Sequence, residues 1–387
     1  MWSVVVVLPA VQAEFGTARA GASLPYTLAM IGFVFGGIIT GRLADRFGIV
    51  LPVVGGTVML GVGYVAASFA ATLWQFALVH GVMIGLLGSS ATFGPIVADV
   101  SHWFTRRRGI AVAIAASGSY LAGTVWPPVV QHFVATVGWR QTYLGIALFC
   151  VATMLPLVLV LRPRLPGHGS EAAAAAAARP PRAIRGMSPA MLQALLVVAG
   201  ICCCVAMSMP QVHIVAYCAD LGYGTRHGAQ MLSAMLGFGI VSRLASGWVM
   251  DRIGGLPTLL VGSTLQALSL LLYLPFNGLV SLYVVSALFG LFQGGIVPSY
   301  AMIVREYFPP REAGVRVGLV FSATLAGMAL GGWMSGAIYD ATGSYRAAFL
   351  NGIGWNLANI AIALVLLRLG RGAPRLSAPA GRAAAGS

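Results

Sequence analysis

Long apolar runs alternate along this chain with short polar breaks. They fall at about 1–13, 22–43, 51–71, 74–98, 108–135, 140–161, 190–219, 228–250, 256–276, 280–304, 314–338 and 346–367. A bilayer crossing takes about 20 predominantly apolar residues, so each full run predicts a spanning helix. The first run is too short. It closes on Gln12, Glu14 and Phe15, which read as a helix end. No charged segment precedes it, so it is not a signal peptide. Its length predicts that an amino-terminal part of the first helix is missing from the sequence.

Composition agrees with the pattern. Of 387 residues, 58% are hydrophobic and 8% charged, with a mean hydropathy of +0.88. Soluble domains carry about 25% charged residues. A soluble enzyme, a nucleic-acid-binding domain and a disordered regulator are therefore excluded. The net charge of +14 does not restore the nucleic-acid reading, because the basic residues, all arginine, cluster at the ends of apolar runs. The five cysteines lie within or beside apolar runs and read as small buried residues, with no metal site or disulfide framework.

The arginines also orient the chain. With both termini cytoplasmic, 18 arginines fall on inner connections or termini and four, Arg19, Arg140, Arg226 and Arg346, on outer ones. Arg243 alone lies well inside a span. The positive-inside rule selects this topology and an even number of spans. Residues 162–189, basic and proline-interrupted, read as a cytoplasmic linker between an N-terminal six-helix bundle (1–161) and a C-terminal one (190–367). Residues 368–387 read as a disordered cytoplasmic tail.

The halves repeat at an offset near 206. Gly41-Arg42-Leu43-Ala44-Asp45-Arg46-Phe47-Gly48 follows span 2, and Gly247-Trp248-Val249-Met250-Asp251-Arg252-Ile253-Gly254 follows span 8. Gly, Asp, Arg and Gly recur at the same internal spacing. Gly85 and Gly88 in span 4 correspond roughly to Gly290 and Gly294 in span 10. Such repeats mark transporters whose substrate site lies between the halves near the midplane.

The Gly-x-Leu-Ala-Asp-Arg-x-Gly sequence in its loop, its second copy and the span count resemble the major facilitator superfamily. The resemblance implies two six-helix bundles, twelve transmembrane helices with the first short, related by pseudo-two-fold symmetry. It implies alternating access, with Asp45 and its copy Asp251, beside Arg42, Arg46 and Arg252, gating the inner side. Gly41 and Gly48 would allow close helix approach and a tight turn, and Gly247 stands with them in the gating copy. An ordinary interfacial ion pair is the alternative for these charges. Trp103-Phe104-Thr105-Arg106-Arg107-Arg108-Gly109-Ile110-Ala111, then Ala116-Ser117-Gly118, resembles the entry to span 5 of monocarboxylate-transporter-like and oxalate/formate-antiporter-like members. Ser242-Arg243-Leu244 resembles their span 8, whose arginine binds a carboxylate. Antiporters of oxalate type pair that arginine with a span 11 lysine, and this chain has no lysine, which disfavours a small dicarboxylate.

Arg243 carries the chemistry most directly. A charge at a span centre costs about 2.5–3.5 kcal/mol, so it should face the bundle interior. It stands seven residues before Met250, about 10 Å by helical rise. Its planar fork suits a carboxylate, and Gly239 and Gly247 leave it room. Snorkelling to the inner surface is the alternative. No acidic residue stands at a span centre, so the pocket should prefer an anion. His213 and Tyr217, one turn apart on span 7 after Pro210, are candidates for substrate or proton binding; a structural histidine is the alternative. His80 reads as structural. Gln293 and Tyr300 on span 10, and Tyr120 with Ser117 and Thr124 on span 5, would line a cavity or hydrogen-bond another helix.

No nucleotide-binding loop, metal spacing or catalytic constellation appears, so neither cofactor nor enzyme activity is expected. The sequence thus predicts an all-α, multi-pass protein of the cell (inner) membrane, monomeric. It would move a small organic anion, a monocarboxylate, by proton symport or anion exchange. An exporter of hydrophobic compounds and a non-transporting sensor on the same fold remain open.

Overall fold

The computed structural model describes residues 2–92, 96, 100, 108–158 and 187–371. Among them the chain is almost entirely helical. The helices are α1 (Trp2–Phe15), α2 (Arg19–Phe47), α3 (Val50–Ser68), α4 (Leu73–Thr92), α5 (Arg108–Val137), α6 (Trp139–Val158), α7 (Pro189–Asp220), α8 (Thr225–Ile253), α9 (Gly255–Leu272), α10 (Leu279–Tyr307), α11 (Pro310–Thr342) and α12 (Tyr345–Arg371). Ten of the described helices are long and apolar enough to cross a membrane, and α1 is a shorter apolar helix. The protein is a multi-pass membrane protein. The basic segment 101–107, the linker as far as residue 186, the tail from residue 372 and the Asp45 side chain lie outside the described residues.

Helix ends follow local chemistry. Ser188 caps α7 through its hydroxyl, which accepts from the Met191 N–H, and proline occupies the first helical position. Gly48 ends α2 at φ +81° and Gly254 ends α8 at φ +87°. Each N–H donates four residues back, to Ala44 and Met250. A side chain would be strained at either place. The two motif copies therefore end in the same backbone turn.

Several helices run past their apolar limits. The runs 22–43 and 314–338 become helices of 29 and 33 residues. The added turns carry charges, Arg19 and Arg46 on α2 and Glu312, Arg316 and Asp340 on α11, and such residues can continue a helix into polar surroundings. The run 280–304 is instead interrupted. Its helix is regular over Leu279–Gln293 and again over Ile296–Tyr307, with Gly294 and Gly295 between. A Cβ on Gly294 would lie 3.1 Å from the Arg243 backbone nitrogen, so the break faces α8.

Each half packs by glycine. Gly85 of α4 lies against the Ala29 backbone of α2, and Gly290 of α10 lies against the Met235 backbone of α8. These contacts are related by nearly the repeat offset. Between the halves (α1–α6 and α7–α12), α2 packs along α11 and α5 along α8, with smaller contacts from α1 to α7 and α8.

The two faces of the molecule differ. On the face opposite the motif turns, a Cβ on Gly336 would meet Ala20 at 2.8 Å, on Gly332 Tyr26 at 3.1 Å, and on Gly237 Thr124 at 3.2 Å. Toward the motif face, Gly37, Gly41, Gly118, Gly247, Gly314 and Gly318 have nothing within 4 Å of an added Cβ. Gly41, where a close approach is expected, meets no neighbouring helix among the described residues, and Gly247 has the room expected beside Arg243. Among the described residues the halves are pressed together at one face, and toward the other these six glycines make no such contact.

Candidate functional site

Arg243 stands on α8, half-buried, with its guanidinium carbon 4.3 Å from the centroid of the Tyr120 ring on α5. One turn earlier on α8, Gly239 makes room for that ring. A Cβ there would stand 2.5 Å from Tyr120 Cε1. The glycine thus lets an aromatic from one half lie on the arginine of the other. Away from this pair toward the opposite face, α5 and α8 stay in contact. The Ser233 hydroxyl donates to the Thr124 carbonyl, and Gln131 Nε2 donates to Thr225 Oγ1 at 2.8 Å. Toward the motif face, Gly118 and Gly247 meet open space. Among the described residues, Arg243 and Tyr120 therefore lie at the motif-side edge of these α5–α8 contacts. Trp2 of α1 closes on the same region, its indole N–H donating to the Ser119 carbonyl at 3.3 Å.

The other expected site residues are placed elsewhere. Gln293 accepts from Gln211 Nε2 at 2.8 Å and is fully buried within the second half. The Tyr300 hydroxyl donates to Asn359 Oδ1 at 2.9 Å, and Asn359 Nδ2 donates to Ser263 Oγ at 2.7 Å. Asn356 Nδ2 donates to the Ser263 carbonyl at 2.8 Å. These residues tie α9, α10 and α12 in the core of that half. Gln293 and Tyr300 do not face Arg243 across a cavity in this conformation, because their polar groups bond to α7 and α12.

His213 is 0% exposed. Its Nε2 lies 2.8 Å from the Gly332 carbonyl and its Nδ1 3.2 Å from the Tyr345 hydroxyl. Both ring nitrogens are engaged, so the expected contact with substrate or proton is not available to it here. It joins α7, α11 and α12. Tyr217 stands edge-on to Tyr345 and Phe349, with centroids 5.4 and 5.7 Å away. It lines a cavity of about 280 Å³ with Tyr273, Asn277 and Arg346, at the face opposite the motif turns. His80 is structural, as expected. Its Nδ1 lies 2.8 Å from the Phe76 carbonyl and its Nε2 3.2 Å from the Tyr143 hydroxyl.

The motif residues hold the other face. Arg42, Arg46, Asp251 and Arg252 are exposed. Arg46 stacks over Phe47 at 5.2 Å and Arg252 over Trp248 at 3.6 Å. In the second half, Glu306 accepts from the Gly255 N–H at 3.1 Å, fixing the start of α9 to the end of α10.

The sequence places Arg19 on an outer connection and gives Asp220 and Asp340 no role. In the structure Arg19 forms an ion pair with Asp220 across the halves. Asp340 Oδ1 and Oδ2 accept from the backbone N–H groups of Arg19 and Ala20, both at 2.8 Å. Only spatial proximity reveals this cluster, since its members are 201 and 321 residues apart. The buried amides Asn356 and Asn359 were also missed, although polar residues inside an apolar run were the available signal.

The sequence profile of the Major Facilitator Superfamily matches residues 1–281 and again 239–386. The chain belongs to the major facilitator superfamily. It is 28% identical over 340 residues to monocarboxylate transporter 13 of Bos taurus, covering 86% of this chain and 77% of that one. It is 27% identical over 337 residues to the MFS-type transporter opdF of Penicillium oxalicum, with the same coverage. The fold is shared with a POT peptide transporter crystallised with sulfate, at a TM-score of 0.74, 16% identity, and 96% and 92% coverage of the two chains. The nucleoside transporter NupG superposes at 0.67, with 12% identity and 95% and 96% coverage. The chain is thus a superfamily transporter related to monocarboxylate transporters.

Proposed function

We propose that the protein moves a small organic anion, a monocarboxylate, across the cell membrane by alternating access. Arg243 stacked on Tyr120 at the motif-side edge of the α5–α8 contacts is the observation that carries this reading. The planar guanidinium fork matches a carboxylate, which takes two parallel N–H···O bonds. The described carboxylates sit at helix ends, as Glu14 with Arg140, Asp220 and Asp340 with Arg19, Glu312 with Arg316, and Glu306 at α9. A cationic site at the junction favours an anionic ligand. The name of the bovine relative points to the same substrate class.

In this reading the twelve helices form two six-helix bundles related by a pseudo-two-fold axis. The matching α2–α11 and α5–α8 packings and the duplicated glycine turns support that arrangement. The arginine distribution supports a cytoplasmic position for both termini and the motif face, with the halves parting toward the inside. The motif residues Gly41, Arg42, Asp45, Arg46, Gly48, Gly247, Asp251 and Arg252 would close that side in the other state. Transport runs as proton symport or anion exchange, in a monomer, without a cofactor.

The test is uptake into proteoliposomes of labelled lactate, pyruvate, acetate, formate, oxalate and a neutral sugar, with and without an inward proton gradient. Monocarboxylate uptake above the protein-free background supports the reading, and stimulation by the gradient selects symport. Absence of uptake of any anion by folded protein contradicts it and favours an exporter of hydrophobic compounds.

A further inference from the structure

From the geometry we infer that Arg19, Asp220 and Asp340 form a releasable latch closing the face opposite the motif turns. Its opening would be the step that exposes the site to that side. The inference rests on the alternating-access reading above, which places this face outside.

The latch joins the halves through three unlike contacts. Arg19 of α2 is 8% exposed and is paired with Asp220 at the end of α7. Its guanidinium carbon lies 5.1 Å from the Tyr339 ring centroid and 5.9 Å from that of Tyr345, so α11 and α12 supply an aromatic flank. The third contact is to backbone. Ala18, the N-cap residue of α2, offers no side-chain cap. Asp340 of α11 supplies both acceptors in its place. Helix starts present unpaired N–H groups and positive potential, and a carboxylate satisfies both. One half of the molecule thus caps a helix of the other, and separation at this face would uncap α2 and strip the charge partner from Arg19.

Both ends of the interface make this a latch rather than a fixed staple. On α11, Gly336 and Gly332 press on α2, and the Thr27 hydroxyl donates to the Ala329 carbonyl at 3.2 Å. Steps of three and four residues from Ala329 lead through Leu325 and Ser322 to Gly318 on the same stripe. There an added Cβ meets nothing within 4 Å. One helix stripe is therefore seated at the latch and unseated at the motif end. A rigid half that rocks closed over Gly318 must lift off at Arg19 and Asp340.

The experiment uses two cysteine reporters, each introduced separately into the full chain beside its five native cysteines, Thr27→Cys below the latch and Gly318→Cys at the parted end. Each is labelled by a membrane-impermeant thiol reagent from its own side, with the chain lacking the reporter as background. Arg19→Gln and Asp340→Ala should raise labelling at position 27 by about fivefold or more and lower it at position 318, the scale of a coupling between two states. The charge swap Arg19→Asp with Asp220→Arg should return labelling part-way toward the parent. No change at either reporter overturns the inference. A rise at both also overturns it, because that marks a structural staple whose loss loosens the fold. The readout needs no substrate, so it can succeed where the monocarboxylate reading fails, and the reverse.

Discussion

Arg243 and Tyr120 belong to different halves of the chain, yet the guanidinium carbon of one stands 4.3 Å from the ring centre of the other. The contact is set by Gly239, whose missing side chain is the space the ring occupies. A guanidinium on an aromatic face gains about 0.5–2 kcal/mol.

Tyr120 is accordingly a positioning residue. Tyr120→Phe keeps the ring and should leave KM for a transported monocarboxylate within about twofold. Tyr120→Ala should raise KM about tenfold, the equivalent of 1.4 kcal/mol. Gly239→Val should displace the ring and impair uptake as Tyr120→Ala does. Initial-rate uptake at matched protein per vesicle measures all three, and a Tyr120→Ala variant with parental KM would contradict the assignment.

The polar core of the second half makes a separate prediction, about stability. Tyr300→Phe removes the donor to Asn359 Oδ1 in a fully buried setting. Leaving a buried acceptor unmet costs about 1–3 kcal/mol. The variant should unfold at a lower temperature in detergent while KM is unchanged. A changed KM with unaltered thermal unfolding would place Tyr300 in the substrate path instead.

His213 should behave as a tie between helices. Replacing it by Gln, which can still donate to one partner and accept from another, should lower the unfolding temperature and leave the pH dependence of uptake as in the parent. If the pH profile shifts while unfolding does not, His213 handles protons and the assignment is wrong.

Much of the fold was legible because its signals are local. Apolar runs matched helices, and two glycines seven residues after Gly41 and Gly247 matched two turns with positive φ. Arg243 was legible as well, because a lone charge in an apolar run needs a reason. What stayed hidden depended on neighbours remote in sequence. His213 and Tyr217 share a helix face, but only the packing of Gly332 and Tyr345 shows the imidazole sealed between helices. Gln293 and Tyr300 share a face too, and the amides they meet lie on α7 and α12. The break in α10 was invisible because Gly294 and Gly295 read as ordinary small residues until α8 is laid against them.

The central claim is that Arg243 binds the carboxylate. The most direct measurement is initial-rate uptake of a labelled monocarboxylate by the parent, Arg243→Lys and Arg243→Ala proteins, reconstituted at equal density with unfolding temperatures recorded beside them. Lys keeps the charge but loses the planar fork. The account predicts saturable uptake by the parent, a raised KM for Arg243→Lys, and background uptake for a folded Arg243→Ala. Undiminished uptake by Arg243→Ala would contradict it.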